Sequence, residues 1–170
     1  MTADADDGVL PVQKKRFSQM REGVMWFRRA GKSDPAATPP APSGGTAATG
    51  LWGEDVAAAA LEGKGYRILG RRVRPDRRDE IDIVARTGET LVFVEVKTRR
   101  NEDFGRPLSA VDRAKRRALN RAAVRYLHRL GFPQLYYRFD TVEVIGSPGG
   151  QPVVRHIENA FSFDRRYMLG

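Results

Sequence analysis

The sequence predicts an α/β fold in which a mixed central β-sheet is flanked by helices. Helix and strand signals alternate from Leu51 onward, in the order αβββαββ. The middle strands of this series are apolar on both faces, as strands at the centre of a sheet usually are. A segment without large apolar residues precedes Leu51, and it separates the predicted domain from an amino-terminal extension.

The chain of 170 residues is predicted to contain this extension, residues 1–50, and one folded domain, residues 51–170. Asp34–Gly50 is rich in proline, alanine and glycine, so it cannot bury enough surface to offset the loss of chain entropy. Lys14–Arg16 and Val24–Lys32 are basic and partly apolar. They could contact nucleic acid or a membrane surface, or form a poorly ordered terminus. We expect the extension to be a disordered, basic segment followed by a linker.

The domain is predicted to begin with a helix and a strand. The alanine-rich run Leu51–Gly65 stops at Gly63 and Gly65, which fits about three helical turns ended by glycine. The next run, Tyr66–Pro75, has the composition of a strand, with a kink at Gly70.

Two β-rich runs follow, and we predict that they pair as a hairpin. Glu80–Arg86 and Glu89–Arg99 are separated by the turn signal Thr87–Gly88. A two- or four-residue loop around this turn would place Asp82 across from Phe93.

The remaining elements are a helix and two strands. Ser109–Leu130 is predicted to be a long helix ended by Gly131. Tyr136–Gly146 has the pattern of a strand, and Val153–Ile157, after a turn rich in proline and glycine, that of an edge strand.

Charged residues interrupt the two apolar strands of the predicted hairpin. Asp82 lies in the first strand, and Glu95 and Lys97 lie in the second. Because a buried charge is costly unless it is paired, such residues suggest a function. Strand side chains alternate between faces, so Glu95 and Lys97 point the same way. In the predicted register Asp82 shares that face, about 7–8 Å from Glu95 on the diagonal. A three-residue loop would instead send Asp82 to the other face.

Two carboxylates at that separation could hold one divalent ion between them. Oxygen ligands without a neighbouring His or Cys suit Mg²⁺ or Mn²⁺ better than zinc. Such an ion can activate water and neutralise charge on a phosphate. Lys97 could orient the attacking water or stabilise the pentavalent phosphorus. Glu54, on the inward stripe of the first helix, could complete the metal shell directly or through water.

Each of these residues also has an ordinary structural explanation. A Glu-x-Lys sequence on a strand is often a solvated charge pair. Asp82 could bond to backbone amides, Glu54 could cap its helix, and Glu80 shares the face of Asp82 and competes for its role. The functional explanation is favoured because the hairpin gathers Asp82, Glu95 and Lys97 on one face of central strands.

Asp82, followed after twelve residues by Glu95-Val96-Lys97 and preceded by an acid on a helix, resembles the motif of the PD-(D/E)xK nuclease superfamily. More specifically, residues 51–161 resemble the bacterial YraN-like family, whose members are uncharacterised and regarded as endonucleases. The stretches that carry this resemblance are GEDVAAAALEGKGYRIL, EIDIVARTGETLVFVEVKTRR, FGRPLSAVDRAKRRAL, RFDTVEVI and HIENAF.

The resemblance implies a restriction-endonuclease-like αβββαβ core and a nuclease that depends on Mg²⁺ or Mn²⁺. The residues then expected to be catalytic are Glu54, Asp82, Glu95 and Lys97, and the expected metal ligands are Asp82, Glu95 and the carbonyl of Val96. Lys115 matches a basic position on the second helix of the family. The family usually has glycine before Glu-Ile-Asp, where this chain has Asp79.

The charge balance points to a polyanionic partner. The chain has 30 Lys and Arg against 21 Asp and Glu, a net charge of +9, most of it in residues 51–170. Arginines recur every four residues from Arg113 to Arg129. This row could form a ridge that binds phosphates, or it could simply be a solvated helix face. Phosphate contacts do not read bases, so we expect structure-dependent or non-specific DNA binding. The expected nucleic-acid contacts are Arg72, Arg78, Arg99, Arg100, Lys115 and Arg116.

Composition excludes several other classes of protein. The absence of cysteine excludes disulfide scaffolds, thiolate zinc sites and cysteine nucleophiles. No apolar run reaches membrane-spanning length and the start lacks a secretory pattern, so a cytoplasmic protein is expected. His128 and His156 are predicted to be ordinary surface or boundary residues, away from the acids.

The sequence therefore predicts a Mg²⁺-dependent nuclease that hydrolyses phosphodiester bonds of DNA. The alternative is a non-catalytic DNA-binding module, or an adaptor in DNA repair or uptake, that retains the nuclease fold. A single active site cuts one strand, so cleavage of both strands would need a homodimer or a second event. Other protein partners are not indicated.

Overall fold

The computed structural model describes residues 46–101 and 111–167, which fold as five strands in one sheet with two helices. The predicted order αβββαββ, and with it the αβββαβ core, is confirmed. The elements are α1 (Thr46–Gly63), β1 (Arg67–Val73), β2 (Ile81–Thr87), β3 (Thr90–Arg99), α2 (Arg113–Arg129), β4 (Tyr136–Ile145), β5 (Val153–Phe161) and a short 3₁₀ helix, Arg165–Tyr167.

The sheet is mixed, as predicted, and its strands lie in chain order from β1 to β5. β3 pairs in parallel with β4, and the other neighbouring strands are antiparallel. Parallel neighbours need a long crossover, and α2 lies within it. β3 is consequently the middle strand, with buried residues from both faces along its first half.

Each helix covers one face of the sheet, and the core is divided accordingly. The buried residues packed with α2 include Leu91, Phe93, Leu119, Ala122, Tyr126, Leu127 and Phe139. Those packed with α1 include Trp52, Ala57, Leu61, Ile83, Val92, Val94 and Val142. This two-sided burial explains why β2 and β3 are nearly continuous apolar runs, and why charged residues within them stand out.

Both helices start at different residues from those predicted. α1 begins at Thr46, five residues before Leu51, because Ala47 and Ala48 extend the alanine-rich helix into the predicted linker. The rest of the predicted extension lies outside the described residues. α2 begins at Arg113 rather than Ser109.

The start of α2 is fixed by a side-chain cap. The carboxylate of Asp112 accepts a hydrogen bond from the Ala114 N–H at 3.2 Å, as an N-cap residue does. Val111 and Asp112 were predicted to be helical but precede the helix. Residues 102–110, which include the predicted start at Ser109, are not among the described residues.

The hairpin between β2 and β3 has a different register from the predicted one. Thr87 pairs with Thr90, so the two loop residues are Gly88 and Glu89 rather than Thr87 and Gly88. Gly88 has a φ of 53°, and glycine suits this positive φ at the first position of a tight hairpin turn. The loop still has an even length, and the expected face of Asp82 is therefore unchanged.

The edge strands carry irregularities that the sequence indicated in part. The register of β1 shifts between Ile68 and Gly70, which confirms the predicted kink. β5 extends to Phe161, four residues beyond the predicted Ile157, and lies at the edge as predicted. Neither helix in residues 46–101 and 111–167 has the length and apolar character needed to cross a membrane.

Candidate metal centre

Asp82 and Glu95 come together on the two antiparallel strands at the centre of the domain. The regular β2–β3 pairing ends with Ile83 opposite Val94, and one step further the same register sets Asp82 opposite Glu95. At that step the Val96 N–H donates to Asp82 Oδ2 at 2.8 Å. The Asp82 carboxylate is thereby fixed against the main chain beside Glu95, which is only 7% exposed. The sequence predicted the shared face but placed Asp82 opposite Phe93, two positions away.

Burial perturbs the ionisation of both carboxyls. It raises the pKa of Asp82, although the Val96 N–H and the charge of Lys115 act in the opposite direction. Burial, and then the negative charge of Asp82, raise the pKa of Glu95 to about 7. The two carboxyls titrate as a coupled pair that retains a proton near neutral pH. A cation between them would relieve the repulsion that adds to the effect of burial on Glu95.

Lys115 supplies a positive charge from the first turn of α2. Its Nζ lies 2.9 Å from Glu95 Oε2. Burial alone would lower the pKa of Lys115, but Glu95 and Asp82 raise it, so the side chain is charged. The sequence predicted a phosphate contact for Lys115; the structure places the ammonium on Glu95, at the centre of the site.

Glu54 approaches the pair from α1. Burial, and next the charge of Asp82, raise the pKa of Glu54, which shows that the two carboxyls are electrostatically coupled. Gly53 permits this approach, since a Cβ built there would lie 1.8 Å from Thr98 Oγ1 on β3. The helix can therefore lie directly against the end of the strand that carries Glu95.

The donor atoms of this cluster fit a hard divalent cation. Oε2 of Glu54 is buried and forms no hydrogen bond within the described part of the chain, and the buried Oε2 of Glu95 has the Lys115 ammonium beside it. Buried polar atoms of this kind commonly indicate a bound water or ion. No three Asp, Glu or His side chains among residues 46–101 and 111–167 converge into a complete metal cage. Mg²⁺ suits such a partial set, because it usually retains several water ligands.

Lys97 lies on β3, two residues beyond Glu95 and on the same face by alternation. Its positive charge acts to lower the pKa of Glu95, so it lies within electrostatic reach of the site. On the neighbouring parallel strand it is aligned with Glu143, which is 3% exposed. Asp82, Glu95 and Lys97 thus share one face at the centre of the sheet.

Glu80, the competitor of Asp82, is held in ion pairs with two arginines. Its carboxylate pairs with Arg74 and, at 3.5 Å, with Arg72. Burial raises the pKa of Glu80, but the bonds from Arg74 and Arg72 outweigh it and leave the pKa below its usual value. Glu80 is a saturated ion-pair partner, and this favours Asp82 as the carboxylate of the site.

The basic residues before β2 are divided between the site and the surface. Arg72 Nε lies 3.8 Å from Glu54 Oε2, beside the candidate metal centre. Its φ of 49° is uncommon for a residue other than glycine, and such strain often accompanies functional sites. Arg78 is exposed, and its backbone N–H donates a hydrogen bond of 2.8 Å to Asp76 Oδ1. Arg72 therefore has a contact with an acid of the site, whereas the backbone of Arg78 is bonded within the β1–β2 connection.

The basic residues expected to contact nucleic acid after Glu95 also differ in their surroundings. Arg99 Nε lies 3.2 Å from Glu143 Oε1, and Arg100 is exposed at the end of β3. Arg116 Nε donates to the Val111 carbonyl at 2.7 Å, and its guanidinium lies over the ring of Phe161. Arg116 thus has a structural contact, whereas Arg100 extends toward solvent.

Asp79, the departure from the family pattern, is part of an ion-pair cluster. Its nearly buried carboxylate receives two hydrogen bonds of 2.9 Å from the Arg121 guanidinium and one of 3.3 Å from Arg125. Arg125 also pairs with Asp76. Two arginines of the predicted ridge on α2 therefore attach the β1–β2 connection to the helix.

A second buried polar network was missed by the sequence analysis. His156 Nε2 lies 2.8 Å from Asp140 Oδ2, and their side chains are 2% and 0% exposed. Asp140 also accepts bonds from Arg138 and from the Asn159 N–H. His156 is away from the acidic pair, as predicted, but its ring is an internal link between β4 and β5. The link joins residues that are distant in sequence, and no local pattern reveals it.

Comparison with known proteins gives a consistent family assignment. Residues 53–144 match an uncharacterised protein family, UPF0102, which is the YraN family. A UPF0102 protein of Symbiobacterium thermophilum is 51% identical over 109 residues, covering 64% of this chain and 92% of that protein. One of Geobacter sulfurreducens is 47% identical over 112 residues, covering 66% and 87%. The chain belongs to the UPF0102 family, as the stretches around Asp82 and Glu95 predicted.

Proposed function

We propose that this chain is a cytoplasmic nuclease that uses Mg²⁺ or Mn²⁺ to hydrolyse phosphodiester bonds of DNA. The observation that carries the proposal is the pair of buried carboxylates, Asp82 and Glu95, opposed on central strands with Lys97 on the same face. An acidic pair with raised pKa values is costly to retain without a cation, and so is the nearby buried Oε2 of Glu54, which forms no hydrogen bond within the described residues.

The proposed roles follow from the positions of the side chains. Asp82 and Glu95 would hold the cation, with the Val96 carbonyl as a further ligand and Glu54 in support. When bound, the cation would lower the pKa of a coordinated water and neutralise charge on the phosphate. Lys97 would orient the attacking water or stabilise the phosphorus centre.

The proposed substrate is DNA that the protein recognises through the phosphate backbone. The net charge of +9 favours a polyanion. Arg78, before the start of β2, and Arg100, after the end of β3, are both exposed. Arg72 lies beside Glu54. Contacts of this kind position phosphates without reading bases, so branched or damaged structures are better candidates than a fixed sequence.

A cleavage assay with a matched carboxylate control tests the activity. Branched, single-stranded and duplex DNA would be incubated with Mg²⁺ or Mn²⁺ and the wild-type protein, Asp82→Asn, Lys97→Met or Glu80→Gln. We expect Asp82→Asn and Lys97→Met to lower the rate roughly 10²-fold or more, while Glu80→Gln retains most of it. Cleavage that persists in both site variants would identify a contaminant and contradict the proposal.

The second candidate function is a DNA-binding module without turnover. It is favoured by Lys115, whose ammonium 2.9 Å from Glu95 Oε2 already compensates one carboxylate without a metal. This candidate predicts salt-dependent DNA binding that is unchanged by chelators, together with no metal-dependent cleavage. The same set of DNA structures, assayed for binding with and without chelator, separates the two functions. An adaptor role would require the extension, so deletion of residues 1–45 without loss of binding argues against it.

A further inference from the structure

Thr141 lies next to Glu95 at the centre of the sheet. β3 and β4 are parallel, and Glu95 is aligned with Thr141 in their register. Two residues earlier, the aligned pair Phe93 and Phe139 bring their rings to 5.7 Å within the core beneath α2. Side chains alternate along both strands, so Thr141 faces the same side of the sheet as Glu95.

The hydroxyl of Thr141 is buried and has no hydrogen-bond partner in the part of the chain that the structure describes. Thr141 is 0% exposed, and its Oγ1 forms no hydrogen bond within the described residues. Across residues 46–101 and 111–167, the only other buried side-chain oxygens in this state are Glu54 Oε2 and Glu95 Oε2. Glu95 is aligned with Thr141 and faces Asp82, to which Glu54 is electrostatically coupled.

An apolar residue would suit this position better if Thr141 served packing alone. Thr141 is fully buried, and valine has the β-branched shape of threonine without the hydroxyl. A buried hydroxyl without a partner destabilises the fold. The presence of the Thr141 hydroxyl therefore indicates a bound molecule that can form a hydrogen bond with it.

The chemistry of the two adjacent groups identifies that molecule. A carboxylate oxygen only accepts hydrogen bonds, whereas a threonine hydroxyl donates one and accepts others. A water molecule can donate one hydrogen bond to a Glu95 carboxylate oxygen and the other to Thr141 Oγ1, which gives the buried hydroxyl a partner.

We propose that Thr141 is a positioning residue of the acidic site, and that its hydroxyl binds a water molecule shared with Glu95. This inference rests on the proposed function in one respect, because the shared water would belong to the hydration shell of the cation. The bond fixes the Glu95 carboxylate in the orientation that serves the cation. Partners that orient metal ligands in this way typically contribute a factor of about 10–100 in metal affinity.

Mn²⁺ binding to the full chain, measured by calorimetry and by the loss of the free-ion paramagnetic resonance signal, tests the inference. The variants are Thr141→Val and Thr141→Ala, which remove the hydroxyl, and Thr141→Ser, which keeps it. Thr90→Val is the matched control, because it removes a threonine hydroxyl at the start of β3, five residues before Glu95. We expect the first two variants to bind Mn²⁺ about 10–100-fold more weakly, and the last two to bind like the wild type.

The comparison of Thr141→Ser with Thr141→Ala isolates the effect of the hydroxyl even if Thr141→Val disturbs the packing. Thermal unfolding in the presence of chelator establishes that each variant is folded. Equal affinity of the Ser and Ala variants would overturn the role of Thr141. Asp82→Asn makes the two proposals distinguishable. Binding that needs Asp82 but not Thr141 leaves the proposed function standing and removes this inference. Absence of Asp82-dependent binding in the wild type removes both.

Discussion

Glu95 determines most of the chemistry at the scale of single residues. It lies buried between a carboxylate on β2, an ammonium on α2 and an unbonded hydroxyl on β4. Asp82 raises its pKa and Lys115 acts to lower it, with burial as the largest influence. The charge of one side chain therefore depends on three segments of the chain.

The pH dependence of stability should report this environment. In metal-free protein the folded-state pKa of Glu95, about 7, lies above its ordinary value of 4.5. The folded state thus binds the proton more tightly, and this stabilisation is complete below pH 4.5 and lost as the pH rises through 7. Glu95→Gln lacks the effect, so from pH 5 to pH 8 its free energy of unfolding should rise relative to wild type, by on the order of 3 kcal/mol.

Urea denaturation with chelator at the two pH values measures this difference. Glu89→Gln is the matched control, because Glu89 is exposed in the hairpin loop. We expect the control to track the wild type at both pH values. A Glu95→Gln variant whose difference from wild type is the same at pH 5 and pH 8 would show that Glu95 titrates normally.

The shared face of Asp82 and Glu95 could be predicted from the sequence because it needed only the alternation of side chains along a strand. Asp82 stays on the face of Glu95 for any even loop length, and both Thr87–Gly88 and Gly88–Glu89 are two-residue loops. The register itself could not be predicted, since each loop contains the same glycine. The contact of Lys115 with Glu95 could not be predicted either, because it joins a helix to a strand and depends on how the two elements pack.

At the scale of elements, the position of α1 depends on a close contact with β3. A Cβ at Gly53 would overlap Thr98 Oγ1, whereas a Cβ at Gly50 of the same helix meets nothing within 4 Å. This contrast gives a matched pair of substitutions in one helix.

We predict opposite effects for Gly53→Ala and Gly50→Ala. The first forces α1 away from the sheet and should lower the free energy of unfolding by about 1–3 kcal/mol. The second replaces a flexible helical residue in open space and should raise it by about 0.5–1 kcal/mol. Equilibrium unfolding of both variants checks the pair, and equal effects would contradict the close packing of α1 on β3.

The connection between β1 and β2 is attached to α2 by the Asp79 cluster. Removing Arg121 would leave a nearly buried carboxylate with only the 3.3 Å contact to Arg125. We predict that Arg121→Gln lowers the free energy of unfolding by about 2 kcal/mol. Arg117→Gln, an exposed site one turn earlier, should change it by less than about 0.5 kcal/mol. Similar values for the two variants in urea denaturation would show that the cluster does not stabilise the fold.

Element boundaries show where local patterns are insufficient. The alanine run predicted α1 but not its start, since Thr46–Gly50 resembles the linker in composition. The cap at Asp112 was overlooked because Ser109 offered an equally good helix start. The central place of β3 was predictable, because a strand that is apolar on both faces is usually covered on both sides.

For the whole molecule, the charge distribution separates the extension from the domain. Residues 1–45 contribute only +2 of the net +9. Deleting them should therefore leave most of the DNA affinity, with the slope of log affinity against log salt reduced by less than about 2. Fluorescence anisotropy across a salt series measures this slope. Loss of most binding on deletion would place the nucleic-acid contact in the extension.

The central claim is that Asp82 and Glu95 hold a divalent cation. Anomalous diffraction from crystals of the full chain grown with Mn²⁺ tests it most directly. The account predicts a manganese peak bonded to both carboxylates, with Lys115 moved away from Glu95. Crystals with saturating Mn²⁺ that show no peak there, and Lys115 still paired with Glu95, would contradict it.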